Sequence, residues 1–191
     1  MSRLRNTSEV AYFCTEESMK MFSRTPVFVF FMLFWACSQP NEVPEMLFQT
    51  DFESEAGWLT DDRMEKGDGH SGSWYIRTGD FVPYSPAFQL KAALISQRPI
   101  RKAEVVCWIR PKDVPADGHL IFSADAGTTS VYWKHKELAG YLKERGGWNE
   151  VTETFEIPDG SFGPDNIIKI YVLSKNNKVI HVDDFSVRFS N

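Results

Sequence analysis

The sequence predicts an all-β domain, a sandwich of two sheets, on three observations. From Met46 onward, short segments rich in Val, Ile, Phe, Tyr and Trp recur between Gly, Pro, Asp and Asn residues, the pattern of strands divided by turns. Apolar and polar residues alternate within them, with the period of two that half-buries a strand. Helical periodicity is nearly absent, since only residues 136–145 offer a helical turn, and a short one. Nine or so strands spaced by turn residues fit a β-sandwich.

Ahead of this domain the chain has another character. Residues 26–37, PVFVFFMLFWAC, set ten apolar residues behind Lys20 and Arg24 and end on a cysteine after a small residue, the layout of a secretory signal peptide. The run is well short of the roughly 18 apolar residues that a spanning helix needs. The stretch Leu33-Phe34-Trp35-Ala36-Cys37 resembles a bacterial lipobox. That resemblance implies a diacylglyceryl group on Cys37, which becomes the first mature residue and tethers the protein to the cell envelope, with the outer membrane expected. The alternative is simple secretion with a free Cys37. Residues 1–19 carry Glu9, Glu16 and Glu17, acids foreign to the start of a signal peptide, so translation is expected to start at Met19 or Met21. Residues 38–45, SQPNEVPE, form an extended polar tether.

The whole chain carries a net charge of −5; loss of residues 1–36, with four basic and three acidic residues, makes it about −6. Nucleic acid is thereby disfavoured as a partner, because it calls for a basic patch or stripe. The remaining 155 residues suit one domain with a sizeable core. Cys107 would be the single cysteine left besides Cys37, so no disulfide forms within the domain, and its apolar surroundings mark it as a packed small hydrophobe.

Strands are expected near 46–53, 72–78, 87–95, 103–110, 118–124, 129–134, 149–157, 166–174 and 179–189. Each is a β-branched or aromatic run bounded by turn residues, from MLFQTDFE at the start to VIHVDDFSVRF at the end. Alternation then assigns faces. Ala103, Val105, Cys107 and Ile109 face inward, opposite Glu104, Val106, Trp108 and Arg110. Ile168, Ile170 and Val172 face in, with Lys169 and Tyr171 out. Trp74 and Ile76 face in, against Tyr75 and Arg77; Val131 and Trp133 face in, against Tyr132 and Lys134. The outward set thus pairs aromatics with cations.

The order of three short motifs resembles the galactose-binding-like jelly roll of bacterial carbohydrate-binding modules. An opening strand holds Phe52-Glu53, followed by Gly57-Trp58; a turn His70-Ser71-Gly72 leads into a strand; and the chain closes on Asp183-Asp184-Phe185. Trp148, Val151, Phe155 and Ile157-Pro158 match a late strand of that family. The resemblance spans nearly all of 47–189. It implies a structural calcium where the first and last strands meet, held by Asp51, Glu53, Asp183 and Asp184, with carbonyls from the loop around His70 and Ser71. Calcium takes six to eight oxygen ligands, and a cation would offset the cost of gathering acids. Asp183 is preferred over Asp184 because it shares parity with Phe185 and Val187. The alternative is that these are ordinary turn acids facing water.

The implied function is non-catalytic binding of a poly- or oligosaccharide. Sugars stack C–H faces on aromatic rings and bond their hydroxyls to planar polar groups, and Trp108, Arg110, Tyr132, Tyr75, Arg77 and Tyr171, with Lys134 and Lys169, would form such a face if their strands lie side by side. The competing view is a solvated face with aromatics between charges. Trp58 and Trp148 are read as core or loop anchors. A second possibility is a structural or adhesive lipoprotein docking another envelope protein. Catalysis finds little support: His70, His119, His135 and His181 have no metal-site spacing, no GxSxG elbow occurs, and no pair of acids stands out as a glycosidase would require. A jelly-roll polysaccharide lyase using Tyr132, His119 and Arg110 is a remote alternative.

Overall fold

Two strands with strict alternation centre the structure. Lys102–Pro111 buries Ala103, Val105, Cys107 and Ile109, and Ile167–Ser174 buries Ile168, Ile170 and Val172, as alternation predicted. The computed structural model describes residues 46–53, 63–112, 114, 116–141 and 146–191. Its strands are β1 (Met46–Thr50), β2 (Met64–Lys66), β3 (Trp74–Thr78), β4 (Phe88–Lys91), β5 (Lys102–Pro111), β6 (Gly118–Ala126), β7 (Thr129–Glu137), β8 (Asn149–Glu156), β9 (Ile167–Ser174) and β10 (Ile180–Ser190). The signal-like run, Cys37, the tether and Trp58 lie outside the described residues. Among the described residues no helix is long and apolar enough to cross a membrane.

All pairings are antiparallel. The larger sheet runs β2-β3-β10-β5-β8, with β1 also on β10, and the smaller runs β4-β9-β6-β7. Their inner faces meet in one core: Val105, Cys107 and Ile109 from the larger sheet, and Leu120, Phe122, Ile168 and Ile170 from the smaller, are all fully buried. Each fully buried large apolar side chain contributes roughly 1.5–3 kcal/mol, and Cys107, the cysteine among the described residues, is a free thiol. Burial pushes the Cys107 thiol up to about 12, in keeping with an inert packed residue. The fold is the expected jelly-roll β-sandwich.

Four details differ from expectation. The three-residue β2 lies in a polar stretch with no β-branched residue and exists through pairing with β3. The strand expected over 87–95 stops at Lys91. There Ala92–Ile95 makes one helical turn, because the amides of Ala92 and Ala93 bond the carbonyls of Asn166 and Pro164.

The third is in β7, where Tyr132 faces the core and Val131 and Trp133 face out, 47% and 46% exposed. Tyr132 packs its ring on Phe122 and Phe162 and donates its hydroxyl to the Glu156 carbonyl at 3.1 Å. The amphipathic tyrosine thus closes the open side of the sandwich between two edge strands. Lys136, Tyr141 and Glu153 extend that closure, the lysine reaching the carboxylate at 2.9 Å.

The fourth is in β10, where Asp183 pairs Trp108 and Ser186 pairs Val106. Asp184 and Phe185 therefore stand against Cys107 alone, a β-bulge, with Asp184 at φ +44°. The bulge puts Asp183 on the outer face with Trp108, so its expected inward parity with Phe185 and Val187 does not hold.

Candidate functional site

The outer face of the larger sheet gathers four of the expected ligand-binding residues and consumes them internally. Arg110 lies over the rings of Tyr75 and Trp148, at 5.0 and 4.5 Å. Its Nη1 donates to the Asp68 carbonyl at 2.8 Å, and its Nε to His181 Nδ1 at 3.3 Å. Trp108 is stacked face to face under His70, with centroids 3.6 Å apart and planes 12° from parallel. Tyr75 is buried. Arg77 pairs with Glu65 at 3.1 Å and with Asp80. The aromatics lie beneath the 67–73 loop and Trp148, so the Tyr75 ring and the Trp108 face toward His70 are occupied by protein partners. Burial first, then the Arg110 charge, lowers His181 to about 4, a neutral ring that accepts the Arg110 bond.

The acids expected to hold calcium surround the same loop and accept hydrogen bonds from its N–H and O–H groups. Asp183, fully buried, accepts from the amides of His70 (2.7 Å), Ser71 (3.4 Å) and Asp184 (2.8 Å). Burial pushes its carboxyl up to about 6, against the pull of those bonds. Glu53 Oε1 accepts from the amides of Ser73 and Trp74, at 2.6 and 2.7 Å. Asp184 takes His70 Nδ1 at 2.5 Å and the Ser71 hydroxyl at 2.6 Å, while Asp51 caps the Glu53 amide. Gly72, at φ +66°, lets Glu53 approach, for a Cβ there would meet the carboxyl carbon at 2.3 Å. Calcium needs oxygen ligands, whereas the partners here are donors, and among the described residues no three His, Cys, Asp or Glu side chains converge on a metal position. The arrangement fits a carboxylate latch on the loop.

The outer face of the smaller sheet is instead concave, with Ile121 and Ser123 of β6 buried at its bottom. A groove of about 1250 Å³ lies on it, walled by Leu47, Phe48 and Gln49 on one side and Trp133 and Ser130 on the other. Register builds its floor: Trp133 pairs Ser123, Ser123 pairs Lys169, and Lys169 pairs Gln89. Paired residues share a face, so this row crosses all four strands, about 14 Å at about 4.8 Å per step. The next row places Tyr171 beside Ile121, and Tyr84 meets Tyr171 edge to face at 5.9 Å. Tyr84 sits between Pro83 and Pro86 on a segment held against β9 by the Ser85 amide to Val172 and the Ser174 amide to Pro83. Arg63 clasps the Tyr84 carbonyl at 2.6 Å. Burial raises the Tyr171 phenol, opposed by a hydrogen bond from Trp133.

Of the expected binding residues, only Tyr171 lines this groove, together with Lys169 of the wider set. Trp108, Arg110, Tyr75 and Arg77 belong to the other sheet, and Tyr132 points into the core, so the six do not share a face. Parity within one strand says nothing about which sheet it joins. Trp133, the exposed platform, was missed because pairing Val131 with Trp133 gave the more apolar inward set. Tyr132, His119 and Arg110 lie on three different surfaces, which removes the lyase arrangement; His119 is buried, with Nδ1 unpaired and its ring against His135.

No protein-family model matches the chain, and no curated protein matches it. Solved structures do resemble it. The CBM22-2 xylan-binding domain of Paenibacillus barcinonensis Xyn10C aligns with a TM-score of 0.50 at 12% identity, over 75% of this chain and 99% of that one. The C-terminal CBM6 of LamC, a laminarinase from Zobellia galactanivorans, gives 0.40 at 13%, over 76% and 100%. A cyclase from Fischerella sp. TAU gives 0.41 at 12%, over 68% and 70%. At these identities the likeness is one of fold: the jelly-roll sandwich found in carbohydrate-binding modules.

Proposed function

We propose that this chain is a non-catalytic carbohydrate-binding protein that holds a glycan chain in the groove of the smaller sheet. Export and a lipid on Cys37 would place it on the cell envelope, where it would keep polysaccharide near partner enzymes and transporters. One observation carries the reading. Exposed aromatic faces, Trp133 and Tyr84 at 46% and 51% exposure with Tyr171 between strands, stand over a polar floor of Ser123, Lys169 and Gln89 in a groove crossing four strands. Stacking platforms over hydrogen-bonding groups match the two surfaces of a pyranose. The same fold hosts many functions, so the groove and not the topology supports the assignment.

A polysaccharide array on the purified protein tests it, with Trp133→Ala and Trp108→Ala alongside. Binding to one glycan class that Trp133→Ala abolishes and Trp108→Ala preserves is the expected result. Loss through Trp108→Ala alone would return the site to the larger sheet. A second reading, docking to another envelope protein, is favoured by Phe81, wholly exposed on its turn beside Val82 at 44%. It would take over if no glycan bound and Phe81→Ser abolished a pull-down from envelope extract.

A further inference from the structure

An ion pair stands on the groove floor. Lys169 Nζ lies 2.8 Å from Asp125 Oδ2, the side chains 32% and 14% exposed. They sit diagonally on adjacent strands, since Asp125 pairs Ile167 and Lys169 pairs Ser123. Partly withdrawing two charges from water carries a desolvation penalty, and apolar replacements of such pairs are often neutral or stabilising. The pair therefore looks to the groove for its use. An ammonium has three donors and a carboxylate about four acceptor positions, and the contact between them uses one of each.

We infer that Lys169 and Asp125 together bind two adjacent ring hydroxyls, so that the groove takes a glycan whose repeating unit keeps a free vicinal diol; this rests on the glycan reading above. Each hydroxyl both donates and accepts, and neighbouring gauche hydroxyl oxygens lie about one hydrogen-bond length apart, matching the 2.8 Å between ammonium nitrogen and carboxylate oxygen. One hydroxyl accepts from Lys169 while the other donates to Asp125. Trp133 lies in the same cross-strand row, separated by Ser123, whose small side chain leaves the path clear for a sugar stacked on the indole to continue toward the pair. A 1,4-linked pyranose chain keeps its 2- and 3-hydroxyls free. The internal residues of a 1,3-linked chain spend the 3-position on the linkage and have no adjacent pair across C2 and C4.

Calorimetric titration of the protein with 1,4-linked xylo-, cello-, manno- and galacto-oligosaccharides, their 2,3-di-O-methyl forms and 1,3-linked laminarihexaose, prepared as its methyl glycoside with the free end 3-O-methylated so that no residue keeps a vicinal diol, tests this. At least one unmodified 1,4-linked oligosaccharide is expected to bind. Methylation, Asp125→Asn and Lys169→Met should each weaken it about tenfold to a hundredfold, the span of bonds to charged groups, and laminarihexaose should bind no better than the methylated form. The methylated sugars leave the protein untouched, so the result does not depend on how the variants fold. Laminarihexaose binding as tightly, or methylation without effect, would overturn the diol reading and leave glycan binding standing. No binding by any oligosaccharide would overturn both.

Discussion

Two titrating groups, His181 and Asp183, lie two residues apart on one face of β10, opposite Arg110 and Trp108, and they oppose each other in pH. Burial holds His181 at about 4 against an ordinary 6.5, so between those values the unfolded chain binds the extra proton. Stability from this group therefore rises as pH rises from 4 to 6.5 and is complete above it. Asp183 is raised to about 6 from 3.8, so in that window the folded chain binds the extra proton and stability falls as pH rises. At 1.36 kcal/mol per pH unit, each spans at most about 3 kcal/mol. These two contributions nearly cancel, so removing either one should tilt the pH dependence relative to wild type between pH 4 and 6.5. His181→Gln keeps an acceptor for Arg110 Nε while removing the titration, and should leave stability falling, relative to wild type, by about 1–3 kcal/mol over that window. Asp183→Asn should leave it rising by a similar amount. Urea unfolding at half-unit pH steps measures both. If the two variants run parallel to wild type, the burial argument for this face is wrong.

Asp183→Ala strips the part-buried amides of His70 and Asp184 of their acceptor, and a loss of about 1–3 kcal/mol is expected, read as a lowered melting temperature. The same latch predicts that a chelator leaves the wild-type melting temperature unchanged; a fall restored by added calcium would refute it. Tyr132→Phe removes the bond to the Glu156 carbonyl while keeping the ring in the core, so it should cost about 1 kcal/mol in urea unfolding and leave glycan affinity unaltered.

Much of the sandwich was legible in the chain because the period of two is a local property. The inward sets of β5 and β9 follow from sequence alone, and so does the inert character of Cys107, since each depends only on neighbouring residues in one strand. That the turn His70-Ser71-Gly72 meets acids near both ends of the domain was implied by the family resemblance and not by any local pattern, and the chemistry of that meeting, amides on carboxylates, does not follow from the acids alone. Tertiary structure decided where the strands went. Trp108 and Tyr171 have the same outward parity in sequence, yet one belongs to the sheet roofed by the His70 loop and the other to the sheet that carries the groove. The bulge at Asp184 reversed the face of Asp183, and Tyr132 turned inward because its hydroxyl finds a carbonyl on a strand 24 residues away. Alternation tells a residue which of two faces it occupies. Whether that face is covered depends on chain segments distant in sequence.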